Sequence, residues 1–145
     1  MKRFFEHHVP HMPQRMFDIV ADLEDYPRFV PNCKAMEVRP DPVTPGALLA
    51  RMTLFFGPIT QAYTSRVLND REGLTIKAKA VDGPFAYLDT VWSFIAEGMG
   101  TRVRFEVDFK ISNPLLAAVA EPAFAAKQAE IMQAFVDEAD RRFGD

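Results

Sequence analysis

The segment VADLEDYPRFVPNC, residues 20–33, concentrates three carboxylates and the single cysteine of the chain in fourteen positions. Asp22, Glu24 and Asp25 could work as acids and bases if their surroundings separated their pKa values. Cys33 could work as a nucleophile if a base stood beside it. Carboxylates in a turn are more often solvated or capping groups, and no histidine lies near Cys33 in the sequence. The segment therefore predicts a structural corner with a buried cysteine, and no catalytic residue is predicted.

This corner carries two further expectations. Asp22 is expected to cap the short second helix or to pair with an arginine such as Arg66, which would fix the corner. Tyr26 and Phe29 are expected to turn inward, so that the segment covers one end of an interior cavity as a lid.

The three histidines of the chain lie together in HHVPH, as His7, His8 and His11. A metal site needs ligands that converge on one point. His7 and His8 are adjacent on a predicted strand, and adjacent strand residues project to opposite faces. The pattern predicts surface histidines and no metal site.

Length and composition indicate one folded domain spanning residues 1–145. Hydrophobic residues make up 48% of the chain, and thirteen phenylalanines stand against three tyrosines and one tryptophan, which favours an apolar core or a lined cavity. The net charge of −3 disfavours nucleic acid, and no DNA partner is predicted. One cysteine cannot form an internal disulfide. We see no signal peptide or membrane-spanning run and expect a cytoplasmic protein, with transient contact at the inner membrane surface.

The order of predicted elements indicates an α+β fold. The expected elements are a strand over 3–9, helical turns over 14–23 and 27–30, six strands over 33–40, 47–56, 60–69, 74–81, 87–97 and 102–111, and a helix from Pro114. Apolar residues alternate with charged ones in RVRFEVDFKI, which is typical of an antiparallel strand with one solvent-exposed face. The other face must be covered, and the last helix is the element long enough to cover it.

The last helix has clear start and packing signals. Asn113 is a suitable N-cap and Pro114 suits the first helical position. Pro122 is expected to bend the helix in its first third. A curved sheet around a single helix leaves space between them, so the sequence predicts an apolar pocket.

The aromatic residues of the elements facing this space are the candidate ligand-binding residues. They are Tyr26, Phe29, Phe55, Phe56, Phe85, Trp92, Phe94, Phe105, Phe109, Phe124 and Phe135. Burial in a plain core is the alternative for each of them.

Two patterns resemble a known family. The first is the spacing of Asp22, Tyr26, Pro27, Phe29, Pro31 and Cys33; the second is GPFAYLDTVWSF over 83–94. With TSRV at 64–67 and the C-terminal AEIMQAFVDEADRRFG, they are similar to the coenzyme Q-binding protein family of the START and polyketide-cyclase superfamily. That family includes the bacterial ribosome-associating toxin. The resemblance implies the helix-grip fold, with about seven strands around a long C-terminal helix and two short helices after the first strand.

Three functions remain open from the sequence. The resemblance implies non-enzymatic binding of ubiquinone or a related polyprenyl lipid, as a ligand rather than a catalytic cofactor, in support of respiration or quinone biosynthesis. It also implies, as the alternative, binding to the large ribosomal subunit that blocks subunit association. A cyclase- or hydrolase-like enzyme would need a polar cluster in the pocket, and the inward strand faces offer almost none. Fold alone does not choose among them.

Overall fold

The computed structural model describes residues 2–144, apart from the side chains of Phe56 and Ala125. Its elements, in chain order, are β1 (Lys2–Val9), α1 (Pro13–Ala21), a 3₁₀ turn (Leu23–Asp25), α2 (Tyr26–Phe29), β2 (Cys33–Pro40), β3 (Leu48–Phe56), β4 (Ile59–Asp70), β5 (Thr75–Ala80), β6 (Phe85–Glu97), β7 (Gly100–Ile111) and α3 (Pro114–Phe143). The predicted elements are all present, with ends displaced by a few residues.

The seven strands form one antiparallel sheet in the order β1-β7-β6-β5-β4-β3-β2. Six consecutive strands pair as a meander, and β1 joins the far edge beside β7. The helices α1 and α3 cover the inner face of this curved sheet. The predicted α+β helix-grip fold is confirmed.

Strand β7 shows how the sequence decides which face is inside. Val103 and Val107 are buried, while Arg102 and Arg104 on the alternate positions reach Glu6 across the outer face, with Nε–Oε2 distances of 3.7 and 3.2 Å. A period of two residues places every second side chain on the same face. The apolar positions of the strand therefore define the face that receives the helices.

Two clusters of buried side chains fill the ends of the inner face. One forms around α1, with Met16, Phe17 and Val20 packed on β6 and β7. The other forms where α3 begins, around Leu88 and Phe109. The space between the two clusters is where a cavity remains.

Asn113 caps α3, as predicted. Its Oδ1 atom accepts hydrogen bonds from the backbone N–H groups of Leu115 and Leu116, at 2.8 and 3.3 Å. The helix continues across Pro122, which is exposed. The carbonyl of Ala118, which loses its helical partner there, lies on an exposed residue and can bond to water instead.

Replacing Asn113 with alanine is expected to lower the free energy of unfolding by about 1 kcal/mol, because two backbone donors lose their acceptor. Urea denaturation followed by circular dichroism measures the change. Asn113→Ser keeps a capping oxygen and should stay close to the wild type. Equal stability of the alanine variant and the wild type would contradict this role for the cap.

Asp22 pairs with an arginine at the corner, as expected, but the arginine is Arg142 rather than Arg66, and the alternative role as a helix cap is wrong. Asp22 Oδ2 lies 3.0 Å from Arg142 Nη2 at the end of α3, and its side chain caps no helix. Arg66 donates instead from Nε to Asp41 Oδ2 at 2.5 Å, and this hydrogen bond lowers the pKa of Asp41. Arg66 lies on the outer face of β4, whereas Asp22 faces α3 on the inner side, so the sheet separates them.

The corner is held to α3 by a buried carboxylate. Glu138 is 3% exposed and accepts hydrogen bonds from Arg28, from Arg141 Nη2 at 2.7 Å and from Arg142 Nε at 2.6 Å. Arg28 also binds Asp25, with Nη2 2.6 Å from Oδ2. These contacts join α2 and the 3₁₀ turn to the last turns of the C-terminal helix.

The prediction of surface histidines fails at His11. His7 and His8 are exposed, but the side chain of His11 is buried, and its Nε2 donates to Asp140 Oδ1 at 2.6 Å. The chain turns at Pro10, which carries His11 beneath the end of α3, where Thr101 Oγ1 donates to its carbonyl at 2.6 Å. Within the described residues, no three or more His, Cys, Asp or Glu side chains are grouped so that they could hold a metal ion.

Candidate ligand-binding cavity

A cavity of about 200 Å³ lies between the inner face of the sheet and α3. Its floor consists of small side chains at the middle of four neighbouring strands. Ala50 of β3 pairs with Ser65 of β4, and Ala78 of β5 pairs with Thr90 of β6. We call these four residues the small-residue floor. Because the helix cannot follow the curvature of the sheet, small side chains at the deepest point leave space that large ones would fill.

Flexible apolar side chains form the walls of the cavity. Met36 and Met52 line it from the sheet, and Ile131 and Met132 line it from α3. Methionine is unbranched and polarizable, so it adapts to ligands of different shape. Walls of this kind bind by apolar contact rather than by fixed polar groups.

Aromatic rings close the cavity on the side of α1 and α2. Trp92 contacts Phe105 and Phe135, with ring centroids 4.6 and 5.4 Å apart. Tyr26 meets Phe135 edge to face at 5.5 Å. These four residues, together with Phe124 of α3, are the predicted aromatic residues that line the cavity.

Three other predicted aromatic residues lie outside the cavity lining. Phe94 packs on Phe17 of α1, with ring centroids 5.9 Å apart, in the buried cluster around α1. Phe109 is buried in the second cluster, where its ring lies 5.3 Å from that of Phe124. Phe85 packs edge to face on Tyr63 at 5.1 Å.

Two further predicted residues lie at the periphery. Phe29 is half-buried behind the cavity wall, 5.4 Å from the ring of Phe135, and Phe55 is exposed on β3. The side chain of Phe56 lies outside the described residues.

The polar groups of the cavity are few and largely uncharged. Tyr26 donates to the carbonyl of Val20 at 2.5 Å, whereas the hydroxyl of Tyr63 reaches only the sulfur of Met52, at 3.6 Å. Burial raises the pKa of Tyr63 to about 12, so its hydroxyl stays protonated and can donate. Among the described lining residues, Lys127 alone carries a full charge. The lining therefore lacks the converging acids and bases that bond-changing chemistry uses.

Half-exposed polar residues mark the mouth of the cavity. Asn32, Lys127 and Gln128 belong to its lining, and the side chain of Lys127 is 41% exposed and pairs with Glu130, with Nζ 3.1 Å from Oε2. The mouth therefore lies between the α2–β2 corner and the middle of α3. An apolar ligand entering here passes a polar rim before it reaches the apolar interior.

Cys33 takes no part in the cavity lining. It is buried at the start of β2, and burial raises the pKa of its thiol to about 11. Its Sγ atom lies 3.7 Å from the carbonyl of Ala35. A buried thiol that stays protonated at neutral pH is a packing group rather than an activated nucleophile.

The floor and the methionine walls were not predicted from the sequence. The sequence of β5 does contain one indication of the floor. Its inward positions carry Ala78 and Ala80, and two small residues on the buried face of a strand leave space above it. The predicted aromatic residues supply apolar area, whereas the space of the cavity comes from small side chains that fill little volume.

A curved antiparallel sheet that encloses an apolar cavity against one long helix defines a helix-grip protein with a ligand cavity. The sequence matches the family model described as polyketide cyclase / dehydrase and lipid transport over residues 9–136, and the chain belongs to this family. Along the described residues, no helix combines the length and the apolar character needed to cross a membrane.

Two relatives illustrate the range of the family. A ribosome association toxin, RatA, from Rickettsia prowazekii is 29% identical over 130 residues, covering 88% of each chain. A mitochondrial coenzyme Q-binding protein, coq10, from Schizosaccharomyces pombe is 31% identical over 134 residues, covering 90% of this chain and 82% of the relative. The predicted resemblance to these proteins is confirmed.

Solved structures confirm the architecture. An 18 kDa protein from Caulobacter crescentus has a TM-score of 0.81 and 26% identity, covering 100% of this chain and 99% of that one. The Zhui aromatase/cyclase from Streptomyces sp. R1128 has a TM-score of 0.78 with 19% identity, covering 99% and 96% of the two chains. The second likeness concerns the fold alone. The family, the fold and the apolar cavity together indicate a protein that binds a hydrophobic ligand.

Proposed function

We propose that this protein binds a polyprenyl quinone of the ubiquinone type in its cavity and carries it without chemical change. The observation that carries the proposal is the apolar cavity above the small-residue floor, with Lys127 as the one charged group among the described lining residues. The coenzyme Q-binding relative supports the choice of ligand. We place the protein in the cytoplasm, with transient contact at the inner membrane, where such a ligand dissolves.

The prenyl tail supplies the binding free energy. Each CH₂ group removed from water contributes about 0.8 kcal/mol, so a few buried isoprene carbons give several kcal/mol without any ionic contact. A cavity of about 200 Å³ is smaller than the ~300–1,000 Å³ typical of sites for drug-sized ligands. It holds part of a long quinone, and the remainder extends through the mouth beside Lys127 and Gln128.

The headgroup needs hydrogen-bond donors, because a quinone ring offers only carbonyl and ether oxygens. Tyr63 is suited to this, since its hydroxyl is bound only to the weak acceptor sulfur of Met52. The hydroxyls of Ser65 and Thr90 lie on the floor. Tyr26 is not available, because its hydroxyl already donates to the Val20 carbonyl.

Ligand retention tests the proposal. The protein is purified from cells that make ubiquinone and is then extracted with organic solvent, and the extract is analysed by mass spectrometry. A quinone bound in near-stoichiometric amount is the expected result. Failure to recover a quinone, together with no binding of detergent-solubilised ubiquinone by the purified protein, would overturn it.

A second candidate function is binding to the ribosome. The match to the relative named a ribosome association toxin covers 88% of this chain, close to the 90% covered by the match to the quinone-binding relative. The outer face of β2, β3 and β5 presents the exposed basic residues Arg39, Arg51 and Lys77, which could contact ribosomal RNA despite the net negative charge. Sucrose-gradient profiles after overexpression test it. An excess of free subunits over joined ribosomes supports this function, and an unchanged profile removes it.

A further inference from the structure

Exposed apolar side chains gather at one end of the molecule, where the β3–β4 and β5–β6 connections meet the start of α3. They are Phe55, Val81, Tyr87, Leu115 and Val119, and we call this surface the apolar end. Leu115 is 82% exposed. Single exposed apolar residues are ordinary, but a gathering of them at one end indicates an interaction surface.

Backbone hydrogen bonds hold the segments of the apolar end side by side. The N–H of Val81 donates to the carbonyl of Thr64 on β4 at 2.8 Å. The N–H of Ser112, just before α3, donates to the carbonyl of Pro84 at 2.9 Å. The β5–β6 connection is thus attached to β4 on one side and to the segment before α3 on the other, so the exposed residues lie at the same end of the molecule.

The segments of the apolar end carry few charges of their own, although Tyr87 pairs across β6 and β7 with Lys110 and lies beside Asp108 and Asp89. The segments 55–63, 81–88 and 111–126 contain two charged residues, Asp82 and Glu121. The carboxylate of Asp82 already accepts a hydrogen bond of 2.6 Å from a backbone N–H of β4. About a quarter of the whole chain is charged, so these segments carry fewer charges than the chain as a whole.

The mouth of the cavity opens beside the apolar end. Asn32, which lines the cavity, exchanges hydrogen bonds with the backbone of Phe55, donating to its carbonyl at 2.8 Å and accepting from its N–H at 3.0 Å. On the opposite side, Phe124 lines the cavity just over one helical turn beyond Val119. Exposed apolar surface therefore flanks both sides of the entrance.

We infer that the apolar end docks on the surface of a lipid bilayer and turns the cavity mouth toward the lipid. The inference rests on the proposed function, since a polyprenyl quinone dissolves in a bilayer and must leave it to enter the protein. A second copy of the chain at this end would close the mouth instead. Tyr87, with an apolar ring and a polar hydroxyl, is a residue type favoured at the membrane–water interface.

Binding here depends on apolar insertion, because the end carries no basic cluster. Salt screens charge attraction, with a Debye length that falls from about 10 Å at 0.1 M to about 3 Å at 1 M. Docking is therefore expected to be insensitive to salt and to occur on neutral phosphatidylcholine. A lipid-binding surface built on lysines and arginines would show the opposite behaviour.

The test is flotation of the full chain with phosphatidylcholine vesicles that contain no quinone. The variant Leu115→Asp/Val119→Asp places charges at two exposed helix positions near the helix N-terminus, where acidic groups are tolerated. The matched control is Val43→Asp/Met99→Asp, which changes two residues that are 76% and 98% exposed at the opposite end. We expect the wild type and the control to float and the first variant to lose about tenfold or more in partition coefficient.

Three outcomes would overturn the docking surface: no flotation of the wild type, equal loss in both variants, or a dimer that is disrupted by Leu115→Asp/Val119→Asp in place of vesicle binding. Binding of detergent-solubilised ubiquinone is measured in parallel. Intact quinone binding without flotation rejects the docking surface alone. Flotation that needs Leu115 and Val119, without any quinone binding, rejects the proposed function and supports the docking surface.

Discussion

Replacing Ala78 with leucine is expected to weaken ubiquinone binding by about 2 kcal/mol, or roughly thirtyfold. Ala78 lies on the small-residue floor, between Val67 and Thr90 in the register of the sheet. Leucine adds three carbon atoms to the space that the ligand would occupy. Each CH₂ group of the ligand that is displaced from the cavity lowers the binding free energy by about 0.8 kcal/mol. Titration of the purified protein with detergent-solubilised ubiquinone measures the change.

Folding should survive this substitution, because the added carbons enter an existing cavity rather than a packed core. The matched control is Ala96→Leu, an exposed position on β6, which is expected to leave quinone binding unchanged. Both variants should unfold at urea concentrations close to that of the wild type. Unaltered quinone affinity in a folded Ala78→Leu variant would place the ligand elsewhere.

The fold was predictable from the sequence because its signals are local. The alternation in β7, the N-cap at Asn113 and the turns between strands each involve neighbouring residues, and each appears as expected. The antiparallel meander then follows from short connections between consecutive strands. The position of α3 against the sheet follows from the need to cover an apolar face.

The sequence predicted that an apolar cavity exists, but not which residues line it. Phe94 and Phe109 share the inward faces that were identified, yet they pack against the two ends of the helical layer rather than the space between them. Alternation tells which face a side chain occupies, but not where along the strand a helix makes contact. That information comes from the three-dimensional mismatch of sheet and helix.

Ion pairs between distant segments were the least predictable feature. Asp22 was expected to cap a helix or to pair with an arginine such as Arg66, and its partner is Arg142, 120 positions away. His11 was assigned to the surface, and it bonds to Asp140 from a buried position. The sequence pattern does not show which charged residue will pair with which. The two partners, Asp140 and Arg142, lie at the end of α3, and only the complete fold brings this end of the helix close to Asp22 and His11.

Glu138→Gln is expected to lower the free energy of unfolding by about 2–3 kcal/mol. The substitution removes the charge that Arg28, Arg141 and Arg142 share and leaves three guanidinium groups close together. Breaking a fully buried pair costs about 3–5 kcal/mol, and the effect is smaller here because the arginines reach solvent. The matched control is Asp137→Asn, an exposed neighbour bonded to Gln133, with an expected change within about 0.5 kcal/mol.

The pH dependence of stability provides an independent measurement of the same carboxylate. Hydrogen bonds, the largest from Arg141, lower the pKa of Glu138 from 4.5 to about 2. A carboxyl group whose pKa is lowered by folding stabilises the native state above its unfolded pKa and loses that contribution as pH falls. The wild type should therefore lose stability between about pH 4.5 and about pH 2.

Glu138→Gln should show a shallower decline over this interval, since its amide does not titrate. Asp41 pairs with Arg66, away from this cluster, and contributes equally in both proteins. Asp25 shares Arg28 and Arg142 with Glu138, and its lowered pKa is therefore coupled to Glu138. The difference between the two pH profiles of stability therefore measures Glu138 together with its coupling to Asp25 through the shared arginines. Parallel pH profiles for the variant and the wild type would show that the arginines do not stabilise the ionised carboxylate, and the corner would then depend on packing around Tyr26 and Phe135.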